Sequence, residues 1–212
     1  MIVKSVKYSL IADLAQVGPS YQPGHAHADT LSYEFSLGNQ RVFVNSGISE
    51  YGLSEERLRQ RKTAAHNTVV VNNLDSSQVW SGFRVAKRAS ILNRIVNRVI
   101  DNSVRFSAAH NGFKKQGVDC IHQRDWFAEN DSVTVTDRLI GNYKNAVGYL
   151  HLHPDIKIVD VADEQVLLAL NDYDILIKVS SAKVSIEDTT WHPEFGVSIN
   201  TVSYTHLTLP TN

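Results

Sequence analysis

Leu31-Ser32-Tyr33-Glu34-Phe35-Ser36-Leu37-Gly38-Asn39 reads as one strand and the turn that ends it. Leu31, Tyr33, Phe35 and Leu37 alternate with Ser32, Glu34 and Ser36, which sorts apolar and polar groups onto opposite faces of an extended chain. Gly38-Asn39 is a hairpin signal, because both residue types accept the left-handed backbone of a tight turn. Residues 41–44 form the return strand. The same pattern recurs along the chain. Short alternating or β-branched runs are expected as strands at 7–14, 68–71, 84–92, 95–100, 104–110, 120–127, 132–140, 147–153, 156–161, 166–170, 174–180 and 183–187, with turn pairs at Asn72-Asn73, Asn130-Asp131 and Asn171-Asp172. Only 54–62 has a helical signature: Ser54 as cap, Glu55 and Glu56 in the first turn, Arg59, Arg61 and Lys62 in the last. About a dozen short strands and one short helix predict an all-β fold, an antiparallel two-sheet sandwich.

The chain has 212 residues, 42% apolar and 20% charged, with a formal net charge of -1. That is an ordinary globular composition. The balanced charge argues against a general nucleic-acid binder. No apolar run approaches the roughly 20 residues of a membrane helix, and no signal peptide is read at the N-terminus. Cys120 is the single cysteine, so no internal disulfide forms, and it reads as a small buried hydrophobe. The domain is read as residues 1–202. The last ten residues, 203–212, resemble a translated sequencing-adapter read-through and are expected to be a non-native tail.

Chemistry-bearing residues fall in three places. Gly24-His25-Ala26-His27-Ala28-Asp29 offers two imidazoles and a carboxylate at steps of two, on one face if the segment is extended. Taken alone, such a pair is most simply a set of hydrogen-bonded residues at a sheet rim, since a metal needs a third ligand. Val42-Phe43-Val44-Asn45-Ser46-Gly47 is an apolar strand that stops at an amide. Arg61, then Ala64-Ala65-His66-Asn67, enters a buried strand through small residues. His151-Leu152-His153-Pro154 repeats the His-x-His spacing without a carboxylate nearby. His110, His122 and His192 stand alone. Trp126 and Trp191 read as core anchors, whereas Trp80 lies in a polar setting that suits a groove.

Together, in this order and spacing, these segments resemble the heparinase II/III-like polysaccharide lyases, over roughly residues 8–202. Val79-Trp80-Ser81-Gly82-Phe83-Arg84 adds to the likeness. The resemblance implies a C-terminal β-sandwich paired with an N-terminal α/α toroid, with substrate bound in the cleft between them. It implies β-elimination on a uronic-acid-containing polysaccharide, and a periplasmic or secreted parent. It also implies site residues. His25 matches the cleft histidine, and Tyr51 lies where it can face the cleft as a second catalytic group. Arg61, Asn67 and Trp80 are candidates for substrate binding. His27 and His66 match ligands of a structural zinc, and Asn45 falls where that site's aspartate is expected. No toroid precedes Met1, so the chain reads as the sandwich of a longer protein, inactive by itself. The competing reading is a carbohydrate-binding or structural sandwich without catalysis.

One geometric condition follows. An unbroken strand would place His27 about 20 Å from Tyr33, beyond reach of Asn45. Zinc ligation therefore requires a bend near Asp29 or Thr30. If the lyase reading holds, His25 opens into a groove while His27, Asn45 and His66 converge behind it.

Overall fold

The computed structural model describes residues 1–19, 21–98, 103–171 and 173–208. The run quoted first becomes β3 (Tyr33–Leu37), which turns at Gly38-Asn39 into β4 (Gln40–Phe43). Gly38 has φ +56°, as the turn requires. With β1 (Ile2–Lys4) and β2 (Tyr8–Ala12) they form an antiparallel sheet in the order β1-β2-β3-β4. A second sheet runs β16-β17-β12-β5, from β5 (Val69–Val71), β12 (Ala146–His151), β16 (Lys183–Trp191) and β17 (Ile199–Thr208). Val44 N–H donates to His151 O at 2.9 Å and His153 N–H to Val42 O at 2.9 Å, which joins the β4 end of the first sheet to the end of β12 in the second.

The opposing sheet runs β11-β10-β9-β8, from β8 (Ile91–Arg98), β9 (Val104–His110), β10 (Cys120–Ala128) and β11 (Val133–Gly141). Residue after residue, β10 alternates buried and half-buried positions, as a strand with one face on a core must. Trp126 and Phe106 stack at 4.9 Å and meet Leu10, Tyr33, Val42, Leu150 and Leu152 in one core. Val166 and Leu168 reach the same core from a three-stranded sheet, β13 (Lys157–Ala162), β14 (Gln165–Ala169) and β15 (Asp174–Lys178). A two-stranded ribbon, β6 (Val79–Trp80) and β7 (Arg84–Val85), completes the strands. The architecture is the expected antiparallel sandwich.

The expected helix is α1 (Glu55–Arg61), with Ser54 Oγ accepting from Arg57 N–H at 2.9 Å as its cap. A second helical turn, α2 (Gly112–Lys115), carries no apolar periodicity long enough to signal it. The strand expected over 84–92 is split. Only Arg84–Val85 is strand in its first part, and β8 begins at Ile91. Residues 99–100 of the next expected strand, and Asp172 of the last turn pair, lie outside the described residues. The stretch 203–208, expected to stand apart, continues β17 and pairs with both β12 and β16. Pairing concerns conformation, and the likeness of 203–212 to adapter read-through stands beside it. Residues 209–212 lie outside the described residues.

Candidate functional site

The segment between Gly24 and Ser32 is not a strand. Pro23–His25 form one 3-10 turn, and β3 begins only at Tyr33. The expectation that His25, His27 and Asp29 share a strand face is therefore corrected. Leu31 has φ +64°, a left-handed conformation that costs a branched residue energy, so its surroundings must hold it there. Ser32 N–H donates to Asp29 O at 2.9 Å, which closes the turn. This is the bend that the approach of His27 to Asn45 demands.

Buried side chains clamp the bent segment. Arg61 donates from Nε and Nη2 to Ala26 O at 3.2 and 3.1 Å, from Nη1 to Ser81 O at 3.0 Å and from Nη2 to Arg84 O at 3.1 Å. Thr63 Oγ1 donates to Ala28 O at 2.8 Å, and Thr68 Oγ1 to Thr30 O at 3.0 Å. Asn67 is a staple between strands. Its Nδ2 donates to Tyr33 O at 2.7 Å and Val44 O at 3.2 Å, and its Oδ1 accepts from His151 N–H at 2.6 Å. Arg61 and Asn67 are both buried and committed to the backbone, so their place is in the wall of the site rather than in an open groove. Trp80 is 51% exposed on the β6–β7 ribbon, with the Arg84 guanidinium 5.8 Å from its ring. It is not among the residues lining the cavity at His25.

That cavity, about 400 Å³, is lined by His25, His27, Asp29, Arg41, Asn45 and Trp191 among others. His25 is exposed at its rim, 6.0 Å from the Tyr51 ring in an edge-on arrangement. Behind it the other three residues converge. The His27 and His66 rings are 5.2 Å apart, and His66 Nδ1 lies 3.1 Å from Asn45 Oδ1. Gly47, at φ +77°, donates its N–H to Asn45 Oδ1 at 3.3 Å, and a Cβ there would collide with the His192 carbonyl. Asn45 is thus aimed by the tight passage that follows it. A second cavity of about 260 Å³ lies on the other side of Asn45 and Asp29, and Asp13 lines it.

Electrostatics favour neutral imidazoles here. Burial depresses both His27 and His66 to about 3. His66 adds to the effect at His27, and His151 adds to it at His66. Because Asn45 Oδ1 accepts hydrogen bonds, the His66 proton is assigned to Nδ1. Nε2 then presents a lone pair, and it is buried without a partner among the described residues. Two neutral imidazoles, one with an unused lone pair, are the nitrogen donors a zinc ion takes. The third neighbour is a neutral amide oxygen where a carboxylate would bind more strongly. Burial pushes the Asp29 carboxyl above the usual carboxylate range.

The sequence singled out His110 and His122 only as isolated residues, and it missed Arg124 and Asp137. These four form one buried relay. Gly112 N–H donates to His110 Nδ1 at 3.1 Å, His110 Nε2 meets His122 Nδ1 at 3.2 Å, and His122 Nε2 meets Asp137 Oδ1 at 2.6 Å. Arg124 grips Asp137 through Nε and Nη2 at 2.7 and 2.8 Å. Its Nη1 reaches Leu31 O at 2.8 Å and Asn67 O at 2.7 Å. The available sequence signal was the alternation in β10, which places His122, Arg124 and Trp126 on its buried face. Cys120 is buried, and its thiol is pushed up to about 11, chiefly by desolvation.

A family profile described as "Heparinase II/III-like, C-terminal" matches residues 1–210. Among solved structures, the heparan sulfate lyase HepC from Pedobacter heparinus superposes with a TM-score of 0.75 at 16% identity, over 97% of this chain and 31% of that one. A structure of heparinase III superposes with a TM-score of 0.73 at 14% identity, over 98% of this chain and 34% of that one. The chain spans about a third of the length of these structures. No curated protein matches significantly.

Proposed function

The chain belongs to the heparinase II/III-like family, as its C-terminal domain, and from that premise we propose that it forms the sandwich wall of a polysaccharide lyase cleft. The observation that carries this reading is the division of labour around His25. His25 is exposed at the mouth of a cavity, and His27, Asn45 and His66 converge behind it. In β-elimination on a uronate, a base takes the C5 proton. The electron pair forms the C4–C5 double bond, the C4–O bond breaks, and an acid protonates the departing oxygen. His25 and Tyr51, 6.0 Å apart and both open to solvent, are positioned to exchange such protons with a sugar laid across them. Arg41, over Trp191 at 5.5 Å and paired with Glu34 at 2.7 Å, brings a guanidinium to the same cavity for an anionic polymer. A cleft needs two walls to orient substrate and exclude water, and the partner we assign is an α/α toroid of a longer parent.

The test compares the 212-residue chain with a parent that carries a helical domain, on a panel of uronic-acid polysaccharides. The parent is expected to release unsaturated product, read by ultraviolet absorbance. The sandwich alone is expected to be slower by at least about 100-fold. His25→Ala in the parent should lower kcat/KM by about 10² to 10⁴-fold. Product release by the sandwich alone at the parent's rate would refute the shared cleft. A parent that binds these polymers without cleaving them would leave the carbohydrate-binding sandwich as the better account.

Zinc enters the proposal as a structural group held by His27 and His66, with Asn45 orienting His66 or completing the set. When bound it would lock the wall behind His25. Replacing the amide by a carboxylate, Asn45→Asp, is expected to tighten zinc binding at least ~10-fold, measured by competition with a chromophoric chelator. Equal affinity in Asn45→Asp and the unmodified chain, or zinc binding unaffected by His66→Ala, would remove these residues from that role.

A further inference from the structure

Tyr51, Phe83 and Phe195 come from separate loops and meet at the surface beside His25. Tyr51 lies 5.9 Å from Phe83 and 5.4 Å from Phe195, ring centre to ring centre. Their exposures are 52%, 42% and 63%, far above what a core aromatic shows. Aromatic residues rarely gather uncovered on a surface without a partner to meet.

What lies beneath says what partner. Arg57 of α1 is fully buried, and its guanidinium sits 5.1 Å from the Tyr51 ring centre and 5.7 Å from that of Phe83. Since Arg57 is buried and the rings are half exposed, the cation occupies their inner faces. Among the described residues its side-chain hydrogen bond runs from Nε to Gly82 O at 3.3 Å, and neither terminal amino group has a partner. No carboxylate pairs with it among the described residues. A buried guanidinium without a counter-charge is costly, and the ring faces compensate it only in part. The platform therefore projects positive potential outward through a thin aromatic layer, in a medium where that potential is weakly screened.

We propose that Tyr51, Phe83 and Phe195, backed by Arg57, form a stacking subsite for one acidic sugar ring next to His25. The apolar C–H face of the pyranose would lie on the rings, and its carboxylate or sulfate would be drawn by the charge below. The subsite rests on the polysaccharide reading above and names a recognition element within it. Two different attractions thus select the same ligand: flat apolar contact and a negative charge. A neutral sugar satisfies only the first, and a small anion only the second.

The test titrates acidic uronate oligosaccharides, and their carboxyl-reduced counterparts, into the 212-residue chain by calorimetry. Phe83→Ala and Phe195→Ala change exposed side chains, so each is expected to fold. Each should weaken binding of the acidic oligosaccharide about threefold to tenfold. The acidic form should bind on the order of tenfold more tightly than the reduced form, and Arg57→Lys should retain part of that preference. The reduced ligand probes the charge without touching the protein, which covers the case in which Arg57 variants do not fold. Equal affinity for the two ligand forms, unchanged affinity in both phenylalanine variants, or no binding would overturn the subsite. If binding survives those variants but is lost in His25→Ala, the subsite falls and the groove reading stands. If the phenylalanine variants lose binding while the parent yields no unsaturated product, the subsite stands and the lyase reading falls.

Discussion

Arg124→Met is expected to destabilise the fold by about 3–5 kcal/mol, the cost of leaving a buried charge without its partner. Arg124 is 2% exposed and makes a two-pronged bond to Asp137. Arg124, with His122, holds the Asp137 carboxyl well below the usual range despite burial. Methionine fills most of the volume but offers no donor. It would leave the carbonyls of Leu31 and Asn67 without their donor in the core, and the Asp137 carboxylate with His122 as its remaining side-chain partner among the described residues. Urea denaturation measures the loss. The double variant Arg124→Met, Asp137→Leu should recover much of it, because removing both charges removes the desolvation penalty as well. A single-variant loss under about 1 kcal/mol would mean that the buried pair is not formed.

The same substitution should reach the site. Arg124 holds Leu31 O, and Leu31 is the left-handed residue that turns the chain between His27 and β3. It also holds Asn67 O, one residue from His66. The core ion pair thus anchors both arms that bring His27 and His66 together. Loss of Arg124 is expected to loosen their spacing before the sandwich unfolds.

Most of the sandwich was legible in the sequence because a period of two is a local signal that burial enforces. Residues 104–110 became β9 without adjustment, and Ser54 capped α1 as its type and position implied. The parts that escaped depend on non-local geometry. The strand expectation through His25 and Asp29 failed because four buried side chains, Arg61, Thr63, Thr68 and Arg124, capture the backbone carbonyls of 26–31. Captured carbonyls do not pair in a sheet. Arg61 reads as a cation for an anionic ligand in sequence, yet its four bonds to carbonyls make it a clamp. Nothing in its neighbours' identities distinguishes those two uses. Arg57 gave no signal either, since its unpaired state exists only once Tyr51 and Phe83 close over it.

Acid should weaken the fold early, between pH 6.5 and 5. His66 and His151 are buried, and desolvation lowers them to about 3 and about 4. His27 is lowered to about 3, and His110 and His122 are lowered in the relay. The unfolded chain binds protons on these rings from about pH 6.5 downward, whereas the folded chain does not. Stability from such groups is complete above that pH and falls as pH drops below it. At pH 5, His66 and His151 alone should cost about 4 kcal/mol, on the order of 2 kcal/mol each. Asp13 acts oppositely. Burial raises its carboxyl to about 6, so the folded state takes up that proton first and regains about 1 kcal/mol over the same range. His66, His151 and Asp13 together thus lose about 3 kcal/mol, which corresponds to a fall in Tm of roughly 6–12 °C for a domain of this size. Calorimetry at pH 7 and pH 5, with chelator present, makes the comparison. His66→Gln should flatten the slope by nearly one proton equivalent, because glutamine does not titrate. An unchanged Tm across this range would mean that the histidines are solvated or already charged in the folded chain, and the wall behind His25 would then not be the dry, neutral donor pair that metal binding requires.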